Sequence, residues 1–116
     1  MDFDGTLFGD GFPSTGEANM EVISRVKLFK KYNAECVLWT CRENSFLRKA
    51  VKICKEHGLL FDSVNENTPT QQAFQKEMKV QMAFRKIFAD MYVDDKAIGS
   101  IEYFCTLTEE QIKKTL

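Results

Sequence analysis

Four short apolar runs alternate with stretches of helical periodicity along most of this chain, and that alternation restricts the folds open to it. The runs are "AECVLWTC" (34–41), "LLFDSVNEN" (59–67), "IFADMYVDD" (87–95) and "IEYFCTL" (101–107). Each is short enough for a strand and is bounded by polar or turn-forming residues. Before the first of them, residues 18–32 carry Val22, Val26 and Phe29 at four- and three-residue spacing. Residues 44–58 carry Leu47, Ala50, Val51 and Cys54, with Gly58 placed as a left-handed C-cap. "TPTQ" (68–71) opens a third helix to about Phe84, with Thr68 as N-cap, Pro69 at the first helical position and Gln71 closing a capping box. Thr108 and Gln111 form a second box, for a helix over 108–116. Strands alternating with helices predict an α/β fold: a three-layer open sheet, mostly parallel and Rossmann-like, in a single domain over residues 1–116.

The remaining features narrow the class. With 116 residues, 44% hydrophobic and ten Phe, the chain can fill one core. It has no apolar run of membrane-spanning length and no basic-then-apolar opening, so the expectation is a cytoplasmic protein without a membrane partner. A net charge of −1 argues against a large nucleic-acid surface. The basic residues Arg25, Lys27, Lys30 and Lys31 read as a solvated helix face. Cys36, Cys41, Cys54 and Cys105 include no C-x-x-C pair, and His57 is the one histidine, so a Cys/His zinc site is not expected.

In an open α/β sheet, ligands bind beyond the carboxyl ends of the strands. After "CVLW" come Thr40, Cys41 and Arg42; after "MYV" come Asp94 and Asp95. Asp2 and Asp4 in "MDFDGTLFGDG" join the same edge if a strand precedes them. Clustered carboxylates repel, so such a group implies a bound cation or raised pKa values. Oxygen ligands without histidine suit Mg²⁺, and a hydroxyl and a cation nearby suit phosphate oxygens. A calcium loop is excluded: started at Asp2 it meets Leu7 and Pro13 where Gly and Glu belong, and started at Asp4 it ends on Thr15. Cys41 lacks a paired base and reads as a neighbour of the site.

These residues resemble the motifs of the haloacid dehalogenase-like hydrolases. "DFDGTL" resembles the first motif, Thr40 in "VLWTCR" the second, Lys86 in "FRKIFADMYVDD" the third, and Asp94–Asp95 the fourth, in order over residues 2–95. The resemblance implies a Mg²⁺-dependent phosphomonoester hydrolase. Asp2 would be the nucleophile that forms an aspartyl-phosphate, and Asp4 the general acid and base. It implies a metal site of Asp2, Asp94, Asp95 and the backbone carbonyl of Asp4. Thr40 and Lys86 would hold the phosphoryl group, with Arg85 and Lys79 as rivals to Lys86. Arg42, expected to be exposed, would be a further substrate contact. Asp2 and Asp4 are expected to face one side of an extended segment, with Phe3 turned into the core.

Two departures stand out. In that family a central strand leads to the nucleophile, whereas here only Met1 precedes Asp2. The expectation is a first strand truncated at the N-terminus, or one replaced by another segment or subunit. No insertion is long enough for a cap domain, so the site is expected to be open, with a small or macromolecular phosphomonoester as substrate and homo-oligomers possible. The alternatives are a non-catalytic phosphate-binding or regulatory module and a phosphotransferase or phosphomutase.

Overall fold

The computed structural model describes residues 1–79 and 86–116. Its elements are α1 (Met20–Lys31), β1 (Val37–Leu38), α2 (Asn44–Glu56), β2 (Ser63–Val64), α3 (Pro69–Glu77), α4 (Ser100–Thr106) and α5 (Glu109–Thr115). β1 and β2 pair in parallel, Val37 opposite Ser63 and Leu38 opposite Val64, with α2 as the crossover between them. The result is an α/β fold with five helices and a two-stranded parallel sheet among the described residues.

The helices begin and end where local chemistry requires. Asn19 caps α1 by accepting from the Val22 N–H (3.3 Å). Gly58, at φ +80°, closes α2, and the Leu59 N–H returns to the Cys54 carbonyl (2.9 Å). Thr68 caps α3 by accepting from the Gln71 N–H, but the side chain that folds back is Gln72, onto the Asn67 carbonyl. α3 stops at Glu77, short of the expected Phe84: Met78 is its C-cap and Lys79 takes a left-handed φ of +57°, while residues 80–85 lie outside the described residues. α5 carries both bonds of its Thr108–Gln111 box.

Two expected strands are corrected. Residues 101–106 lie in α4, with Leu107 as its C-cap. The alternation in "IEYFCTL" is partial, and the same residues carry a helical stripe, Ile101, Phe104 and Cys105, that packs on the core. Phe104 stacks on Phe29 of α1 at 5.2 Å, while Tyr103 points outward. Residues 87–95 form no named strand. Strand pairing needs a neighbour, and here the neighbour is only Met1–Asp2: the Asp2 N–H donates to the Val93 carbonyl (2.9 Å). The other two apolar runs shorten to the two residues each of β1 and β2.

Phe3, Leu7, Phe8, Ile23, Leu38, Cys54, Leu59, Val93 and Phe104 form the centre of the core. His57 meets Phe8 edge-to-face and bonds the Ile53 carbonyl through Nδ1 (2.9 Å). The basic face of α1 is largely tied down: Lys30 pairs with Asp62 (2.8 Å), Lys31 with Glu109 (3.5 Å), and Arg25 donates to the Leu107 carbonyl. No helix among the described residues is long and apolar enough to cross a membrane.

Candidate metal and phosphate site

The N-terminal segment turns sharply just after Asp2. Gly5 sits at φ +84°, and the Thr6 N–H bonds back to the Phe3 carbonyl. A Cβ at Gly5 would lie 2.4 Å from Asp95 Oδ2, so both the backbone angle and the close approach demand glycine. The turn brings Asp2 and Thr6 against the loop after Val93. The Thr6 hydroxyl is fully buried; it donates to Asp2 Oδ2 (2.9 Å) and accepts from the Asp95 N–H (3.0 Å). That loop is fastened at its other end by Ser100, whose hydroxyl accepts from the Asp94 N–H (3.0 Å) and donates to the Asp94 carbonyl (2.8 Å). Asp94 Oδ1 accepts from the Lys96 N–H (2.9 Å).

Asp2, Asp94 and Asp95 converge here, each offering an oxygen within 4.8 Å of the others. An octahedral ion with bonds of about 2.1 Å spaces its ligands by roughly 3–4 Å; three oxygens within 4.8 Å of one another could hold one hard divalent cation after a small closure. The electrostatics agree. Burial pushes the Asp2 carboxyl up to about 6, helped by the Asp94 charge and opposed by the Thr6 bond. Asp95 goes the other way. Burial would raise it, but hydrogen bonds shared with Asp94 and Asp2 and the Lys96 charge hold it below its ordinary value. Below about pH 6 and without a cation, the cluster holds a proton on the Asp2 side.

Asp4 is elsewhere. It does not face the same partner as Asp2, because the chain has already begun to turn. Arg42 Nε and Nη2 grip its two carboxylate oxygens at 2.8 and 2.7 Å. Arg42 itself is a correction: expected as an exposed substrate contact, it is 2% exposed. Its guanidinium lies over the rings of Phe3 (4.8 Å) and Phe12 (5.2 Å) and donates to the Ser14 carbonyl (2.6 Å). Five donors in one planar fork suit that task, which a freely solvated cation would leave undone.

The remaining expected residues are engaged with other partners or exposed. Thr40 stands just past β1; its hydroxyl accepts from the Arg42 N–H (3.1 Å), and its own N–H goes to Asn65 Oδ1 (2.8 Å). Lys86 is exposed, with its ammonium 5.4 Å from the centre of the Tyr92 ring. Lys79 is exposed beyond α3, and Arg85 lies outside the described residues. Thr6 and Ser100 are the residues that sequence reasoning overlooked. Thr6 had a signal, since it completes the Asp-x-Asp-Gly-Thr run; Ser100 had none.

No family model matches the chain, and no curated protein matches it. Among solved structures, it is similar to a conserved protein from Bacteroides thetaiotaomicron. The two are 28% identical over 98% of this chain and 84% of the other, with a TM-score of 0.72. Nearly the whole chain thus shares its path with that protein, whose name states no activity.

Proposed function

We propose that this chain is a Mg²⁺-dependent phosphomonoester hydrolase of haloacid dehalogenase-like type, acting in the cytoplasm through Asp2. In this reading the two-stranded sheet and its helices belong to a three-layer, Rossmann-like, capless fold. What carries the proposal is the meeting of Asp2 with Asp94 and Asp95, from opposite ends of the chain, in an all-oxygen cluster. When bound, Mg²⁺ supplies charge neutralisation for a phosphate at the cluster.

The chain's own residues do the rest. Asp2 attacks phosphorus: a P–O bond forms to its carboxylate as the bond from phosphorus to the leaving oxygen breaks and that oxygen takes a proton. Water then attacks the aspartyl-phosphate at phosphorus, loses a proton, and releases inorganic phosphate and the free Asp2 carboxylate. Asp2 must be ionised for this, and the Thr6 bond favours its charged form. Thr40 and Lys86 are assigned to the phosphoryl oxygens. Asp4 is assigned the proton transfers, for which one of its oxygens has to leave Arg42.

The test is hydrolysis of an aryl phosphate with Mg²⁺, with chelator, and in Asp2→Asn. The expected result is activity that needs Mg²⁺ and vanishes in the variant. The Arg42–Asp4 pair favours a second reading, a non-catalytic phosphate-binding module, because both oxygens of the would-be acid are engaged. A chain that binds Mg²⁺ and phosphate but hydrolyses nothing would select that reading.

A further inference from the structure

Two phenylalanine rings stand at the surface beside the Arg42–Asp4 pair. Phe12 is 56% exposed and Phe46 is 40% exposed; their centroids lie 5.2 Å apart, with the rings tilted by 57°. A single exposed apolar side chain is ordinary. Here two touch at one place, and one buried cation holds both. Phe12 lies in loop 9–17, which is pinned at its base. The Gly9 N–H bonds the Glu17 carbonyl (2.8 Å), and a Cβ at Gly16 would strike the Gly9 carbonyl. The loop is pinned again at its tip, where Arg42 donates to the Pro13 (3.4 Å) and Ser14 (2.6 Å) carbonyls and lies over the Phe12 ring. Phe46 is in the first turn of α2, and its carbonyl also accepts from Arg42 (3.4 Å). One side chain thus fixes Asp4, the loop tip and the start of α2 together.

We propose that Phe12 and Phe46 are the leaving-group subsite of this chain, which takes phosphomonoesters whose leaving oxygen sits on, or one carbon from, an aromatic ring. The proposal rests on the phosphatase reading for where the leaving group lies. In that reading Asp4 gives its proton to the leaving oxygen. The group on that oxygen therefore lies beside Asp4 and, one guanidinium away, beside Phe12. Phenylalanine rings offer the hydroxyls of a sugar no hydrogen bond, so a sugar there would lose water without gaining partners. A flat ring meets the tilted pair in offset and edge-to-face contacts. The pair is held in place before a ligand arrives, which lowers the cost of ordering it.

The probes are 1-naphthylmethylphosphonate and methylphosphonate, whose P–C bond the proposed reaction cannot cleave. Each is titrated calorimetrically into the full chain with Mg²⁺. The naphthyl ligand should bind about tenfold more tightly. Phe46→Ala should remove most of that difference, and Phe46→Leu, which keeps apolar area without a ring, should restore only part of it. Phe12→Ala should act like Phe46→Ala; if it fails to fold, the two Phe46 variants decide. No binding of either phosphonate, equal affinity for both, or a difference that survives in Phe46→Ala would overturn the subsite and leave the rings as a fastening for loop 9–17. Hydrolysis of aryl phosphate is read beside the titration. A tenfold difference that depends on Phe46, in a chain that hydrolyses nothing, would keep the aromatic subsite and remove the phosphatase reading. Mg²⁺-dependent hydrolysis with equal phosphonate affinities would do the reverse.

Discussion

Asp2 and Asp4 stand two residues apart in one motif, yet the fold treats them in opposite ways. Asp4 meets a cation with five donors and is held at both oxygens. Asp2 meets two more carboxylates and a single hydroxyl. One is a closed ion pair that fastens loop 12–14 to the N-terminal turn; the other is an excess of negative charge open to a ligand. The difference teaches that a short motif specifies which groups are supplied, while contacts from distant segments decide what each can do.

The sharpest way to break this contrast is to remove the cation. Arg42→Met leaves Asp4 facing its pocket without a partner and releases the Ser14 carbonyl. Breaking one side of a fully buried pair costs about 3–5 kcal/mol; Asp4 keeps 23% of its side chain exposed, so the loss should lie below that range and still lower the urea midpoint clearly. Arg42→Lys should recover only part of the loss, since an ammonium cannot grip both oxygens and stack on Phe3. Next is Gly5→Ala. A left-handed backbone angle and a Cβ 2.4 Å from Asp95 Oδ2 should cost about 1–3 kcal/mol in thermal unfolding, and Mg²⁺ affinity by titration should drop as Asp95 is displaced. Thr6→Val keeps the shape and deletes the hydroxyl. The Asp95 N–H and Asp2 lose a partner, for a loss of about 1–3 kcal/mol.

The smallest effect sharpens the contrast instead. Asp2 has its folded-state carboxyl raised to about 6 from an ordinary 3.8, so the protonated form is favoured in the native state. Metal-free protein should therefore lose stability as pH rises from about 4 to about 6, through Asp2. Asp2→Asn should flatten that dependence. Mg²⁺ should raise Tm at pH 7.5 and do less at pH 5, where the cluster holds its proton; a Tm indifferent to Mg²⁺ at pH 7.5 would count against the metal site.

Much of this was readable from residue order. The stripes of α1 and α2, the Gly58 cap and the Thr108 box depend on neighbours a few residues away, and the sequence displays those neighbours directly. Strands depend on partners far along the chain. Residues 87–95 look like a strand, yet only Val93 has found a bond to Met1–Asp2. Residues 101–107 satisfied two periodicities at once, and packing of Phe104 on Phe29 decided between them. In the site, the acids were legible because clustered carboxylates after apolar runs are rare. Burial of Arg42 was not, since it follows from two rings and a loop that converge only in three dimensions.

The bond from Asp95 N–H to Thr6 spans 89 positions of the chain. Such a contact closes a loop nearly as long as the molecule, and the entropy of that closure must be met before the contact returns anything. Helices α1 and α2 need only local order, so in refolding they should precede the acidic cluster. The cluster is then a gauge of chain closure: the first and last thirds of the sequence have found each other when its three carboxylates meet.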